Sequence, residues 1–231
     1  QKILDSVAWT AASGSLTVKA AFSAIPGGVG TVVSLTGTAD SLRSLVRDKT
    51  PAELQAINAQ RLSAMGVSGS LQKVFLNNYS YDPSEKTLLV GELTNMKGIK
   101  GRDKFITAAC VAQSEPMAVF MRVMGQLMGL YNERRKSVQN FVEADNLPLL
   151  QKKDGTVVAI LPLDHLAWTT RFANKEKAVS EAIKKIPRVK GKEMLVVGTV
   201  NPDAKKALEA RGWKVEEKFA EAIFRSMVGK S

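Results

Sequence analysis

The chain has 231 residues and a formal charge of +11, with 45% hydrophobic and only 6% aromatic residues. That length allows one large domain or two small ones around a substantial core. A single cysteine (Cys110) excludes an internal disulfide framework, and with a single histidine (His165) no tetrahedral Cys/His metal site can form. So basic a balance points to nucleic acid, an anionic membrane surface or an acidic polymer as partner. The charge is uneven: +7 of the +11 falls in the last 81 residues, much of it in "KKIPRVKGK" (184–192).

In chain order, residues 6–37 come first, rich in Ala, Gly, Ser, Thr and Val, with Lys19 as the only charge. Such small side chains suit a close-packed buried region better than a membrane span. "PGGVGT" (26–31) is the one glycine cluster able to cradle an anion, but it lacks the lysine that a phosphate loop needs. The chain begins at Gln1, as it would after removal of an export signal, so a periplasmic or otherwise exported protein is expected, with the cytoplasm as alternative.

Helix signals follow. Thr50, Pro51 and Glu53 form a capping box start and Gly66 a stop; Asp82, Pro83 and Gly98 repeat the design. "GVSGS" (66–70) reads as a loop, and a shorter helix covers about 102–113. The longest helix is expected from Ser114 to about Asp145. Met117, Met124, Tyr131 and Val138 are seven apart on it, and Phe120, Leu127 and Phe141 form a second line. This 117–141 seam could face a neighbour within the chain or a second copy in a homo-oligomer. Gly125 and Gly129 lie on another face and invite a close helix.

After Pro148 the pattern changes. "LLQKKDGTVVAILPL" reads as a hairpin with a primed turn at Asp154-Gly155. A helix from about Asp164 to Lys185, a strand at 194–200, a helix at 202–211, a strand at 213–218 and a last helix from Phe219 follow. The fold class is therefore α+β: a mainly helical part (1–147), then a small mixed sheet with flanking helices in βαβ units (148–231), with one shared core expected because no Pro/Ser/Gly-rich linker separates them. Three parallel strands and one antiparallel neighbour are expected.

Residues 196–213, "VVGTVNPDAKKALEARGW", resemble a phosphate-binding strand–turn–helix, but Pro202 removes a donor and Asp203 places a negative charge where the anion would sit. Neither G-x-G-x-x-G nor G-x-x-x-x-G-K-[ST] occurs, and no cofactor is expected. Asp164 beside His165 is the one candidate base with an orienting carboxylate, although neighbours at a helix start point apart. The expected function is therefore non-catalytic: an exported, cell-envelope binding or assembly protein whose partner is a protein or envelope component. Lys184, Lys185, Arg188, Lys190 and Lys192 are the candidate residues for an anionic surface. The alternatives are a cytosolic nucleic-acid-binding protein using the same basic run, and an enzyme built on Asp164 and His165.

Overall fold

A side chain that bonds the exposed amides of a first turn starts a helix without help from distant residues, and three such starts, each followed by a proline, organise the chain. Thr50 accepts from the Glu53 amide while the Glu53 carboxylate accepts from the Thr50 amide at 2.9 Å, and helix Pro51–Ala64 begins there. Asp82 accepts from the Glu85 amide at the head of Pro83–Asn95, and Asn201 caps Pro202–Ala210. The computed structural model describes residues 37–219 and 221, with side chains from Ser41 onward.

Among these residues the helices are α1 (Gly37–Asp48), α2 (Pro51–Ala64), α3 (Gly69–Leu76), α4 (Pro83–Asn95), α5 (Arg102–Ala109), α6 (Glu115–Arg135), α7 (Thr170–Ile183) and α8 (Pro202–Ala210). The strands are β1 (Val138–Ala144), β2 (Leu147–Lys152), β3 (Thr156–Leu161), β4 (His165–Leu166), β5 (Gly191–Val196), β6 (Thr199–Val200) and β7 (Trp213–Glu216). A mixed five-stranded sheet runs in the order β1-β2-β3-β5-β7, and β4 pairs with β6 beside it. The α+β class, with helices first and sheet second, is as the sequence indicates.

Strands β3, β5 and β7 are parallel, with Thr156 opposite Gly191 and Lys192 opposite Trp213; β2 is the one antiparallel strand, and a fifth strand, β1, pairs antiparallel with β2 and so runs the same way as β3. Val157 to Leu161 are all buried, and successive residues point to opposite faces, so both faces of β3 are covered. Lys192 of β5 and Trp213 of β7 turn toward Ser180 and Glu176, which puts α7 on one face of the sheet. Helices α5 and α6 also pack against the sheet, α5 on β1 and β2 and α6 on β3. One continuous apolar core runs from Leu62 to Phe219.

The α4–α6 contact is close because α6 has two glycines there. A Cβ on Gly125 would stand 2.6 Å from the Leu89 side chain, and one on Gly129 would stand 3.1 Å from Glu92 Oε2. The seam residues Met117, Phe120, Met124, Leu127 and Tyr131 are all buried within the chain, as are Met121 and Met128.

Five sequence expectations need correction. The longest helix stops at Arg135, with Lys136 left-handed (φ 47°), and Val138 and Phe141 belong to β1. A register shift between Val138 and Asn140 adds a residue to the strand, which lets positions three apart be buried together and mimics a helical period. The primed turn is also elsewhere. Asp145 (φ 53°) and Asn146 (φ 60°) make it between β1 and β2. At 153–155 only Gly155 has positive φ, the pattern of a three-residue loop. The segment 66–70 is not all loop, since Ser68 caps α3. The helix expected from Asp164 starts at Thr170, capped by Thr169, because residues 165–166 pair with Thr199 and Val200. The strand expected over 194–200 is broken at 197–198 into β5 and β6. Helix α1 was not foreseen, and the readings of residues 6–36 and of the helix following Phe219 fall beyond the described residues.

The α5 start is fastened to the outer strand. Lys100 N–H donates to Gln139 O at 3.3 Å, and Phe141 N–H donates to Lys100 O at 2.8 Å, so this edge of the sheet is partly covered. Gly101 has φ 72°, and a Cβ there would sit 2.5 Å from Phe141 O. Gly101→Ala is expected to cost more than about 1 kcal/mol, read from the urea midpoint.

Candidate functional site

Parallel pairing places the segment before β5 beside the segment before β3, and this brings the basic run against the 153–155 loop. Three contacts hold it there. Gln151 Nε2 donates to Pro187 O at 3.0 Å, and Lys190 N–H donates to Gly155 O at 3.0 Å. The third is steric: a Cβ on Gly155 would run into Arg188 O, so only glycine permits this approach. The result is a cleft of about 580 Å³ beside the C-terminal end of α7, where Lys152, Lys153, Asp154, Arg188 and Lys190 meet Gln139 and Asn140 of β1.

The charges here differ in their commitments. Lys152 is bonded to Glu193 at 3.0 Å and lies 3.5 Å from Asp154. Among the described residues no ion pair involves Lys153, Lys185, Arg188 or Lys190, all of them exposed. Lys184 ends α7 and pairs with Glu181 at 2.7 Å.

Lys192 does not join them. Its ammonium donates to Ser180 Oγ at 2.9 Å and lies 4.8 Å from the centre of the Trp213 ring. Partial burial lowers its pKa from the ordinary lysine value. It belongs instead to a filled cluster around Glu176, which is wholly buried. Glu176 accepts from Trp213 Nε1 at 2.8 Å and from Ser180, and pairs with Arg211 at 3.1 Å. Arg211 in turn stacks over Trp168. Both hydrogen bonds go to Oε1, and Oε2 faces the Arg211 guanidinium in the ion pair, so the carboxylate is committed within the protein.

No family model, curated protein or solved structure matches the chain. The residues must therefore speak for themselves.

At the C-terminal end of β3 and β5, where α/β clefts form, His165 and Asp164 are not assembled as base and orienter. Asp164 Oδ1 accepts from the backbone amide of His165 at 2.8 Å, and the imidazole Nδ1 bonds Thr199 Oγ1 at 2.8 Å. Gly198 makes this possible, since a side chain there would collide with Asp164 O. Cys110 is half-buried, and burial pushes its thiol up to about 11, away from thiolate chemistry.

Of the basic residues singled out in the sequence, Arg188 and Lys190 line this cleft and Lys184 and Lys185 do not, while Lys153 and Gln151, which do, were not singled out. The usable signal was there: with β3 and β5 parallel, "QKKDG" (151–155) must lie alongside "PRVK" (187–190). It also missed Glu92. This residue retains 9% of its exposure, and burial pushes its carboxyl up to about 7, Arg122 opposing the shift and Glu133 adding to it.

Proposed function

We propose that this is a non-catalytic binding protein that engages an anionic component of the cell envelope through Lys153, Arg188 and Lys190. The observation that carries the reading is the fixed loop: three cations with no acidic partner among the described residues are held on one cleft by Gln151, Gly155 and the backbone of residues 187–190. A solvated lysine face that merely keeps a protein soluble needs no such anchorage. The charge-poor, small-residue segment 6–37 supports a place outside the cytoplasm, and fractionation of the native host checks that half of the reading.

The binding half is tested with vesicles containing phosphatidylglycerol, with neutral vesicles, and with a single-stranded DNA oligomer. Retention on anionic vesicles is expected, falling steeply with salt, and most of it should disappear when Lys153, Arg188 and Lys190 are all changed to alanine. Tighter, salt-steep capture of the oligomer would transfer the site to nucleic acid. Binding untouched by salt or by the triple change would remove the reading.

A further inference from the structure

The anionic-partner reading makes no use of a second cleft, of about 690 Å³, between the C-terminal ends of α4 and α6. Glu92 lines it, and among the described residues no hydrogen bond or ion pair reaches the Glu92 carboxylate. Arg122 attracts it through space, but the Arg122 Nε and Nη1 donors go to Glu85 at 2.8 Å and to Gln126 at 3.0 Å. Gly129 is what leaves the carboxylate its room, for a Cβ there would come 3.1 Å from Glu92 Oε2. Glu92 keeps 9% of its exposure and lines this cleft, so a donor for its carboxylate has to come from whatever occupies the cleft.

The surroundings say what would satisfy it. Asn95, Asn132 and Glu133 add oxygen acceptors, while Met96, Ile99 and Val138 give an apolar wall. Lys97, Lys136 and Lys153 border the same space. A bare anion is opposed by Glu92 and Glu133, and a polyamine by the three lysines. Among the described residues no three acidic, histidine or cysteine side chains come together to hold a metal ion.

We propose that this cleft binds a small aliphatic zwitterion of the ω-amino-acid class, its ammonium on Glu92 and its carboxylate toward the lysines. The ammonium supplies three donors to a carboxylate and two side-chain amides, and the methylene chain covers the apolar wall. An arriving cation also relieves the burial that disfavours ionised Glu92. Lys153 borders both clefts, but this site stands whether or not the other binds anions.

The probe is 6-aminohexanoate, titrated at pH 8 by calorimetry and by amide chemical shifts of Gly98 and Gly129. Binding is expected, with hexanoate and hexylamine each weaker. Glu92→Gln, which keeps the side-chain shape, should weaken it about ten- to hundredfold while the urea transition confirms a folded protein. No binding of 6-aminohexanoate, equal binding of hexanoate or of hexylamine, or undiminished affinity in the glutamine variant would each overturn the proposal.

Discussion

Replacing Glu92 with glutamine should make the protein more stable at pH 8 and leave its stability unchanged near pH 4. Burial raises the folded-state carboxyl from 4.5 to about 7, against the pull of Arg122. Between those values the folded chain holds a proton that the unfolded chain has released, so stability falls as pH rises through this window and levels off above it. At about 1.4 kcal/mol for each pH unit, the loss approaches about 3 kcal/mol by pH 8. Glutamine cannot ionise and escapes this loss. Urea midpoints of both proteins across pH 4–8 check it: the two curves should meet at the acid end and separate upward. Parallel curves would mean that Glu92 ionises as freely in the folded chain as in the unfolded one. In the ligand-free protein the cost of this group is therefore greatest where a bound ammonium would offset it most.

Phe141→Ala should cost about 3–5 kcal/mol, the range for emptying a buried aromatic site. The ring is almost wholly enclosed and meets Phe105 edge-on at 5.9 Å between ring centres, at the junction of α5 with β1. Its amide is also held by Lys100 O, so the backbone has little freedom to close over the cavity. A chemical denaturation curve reads the loss, and a change below about 1 kcal/mol would contradict the enclosed position, since such small values are typical of surface sites.

What the sequence disclosed depended on how local the deciding physics was. Thr50-Pro51-Glu53, Asp82-Pro83 and Asn201-Pro202 announce helices within a single turn, and all three are where the capping chemistry puts them. Val138 and Phe141 did not, because a bulge gives a strand the spacing of a helix. Asp164 and Thr169 are both able to cap a helix. The choice between them is made by Thr199, which pairs with His165 from 34 residues away. The same holds for the sites. Arg188 and Lys190 stand out as charges in a run, but the cleft that gives them a setting is completed by Gln151 and Gly155 through strand pairing. Glu92 was hidden among Leu89, Val90 and Leu93, where an apolar helix face draws attention to itself rather than to the acid on it.

Helix α6 illustrates a demand the fold makes in time as well as in space. Thirteen of its 21 residues are buried, and part of that cover comes from the sheet, yet every strand of that sheet lies downstream. From Arg135 to Trp213, where the last parallel strand begins, the ribosome must add 78 residues. At about 5–20 residues per second that takes roughly 4–16 s. Through that interval the sheet that packs against this methionine-rich helix is still incomplete, so the helix must hold its shape on its helical neighbours alone until β3 arrives.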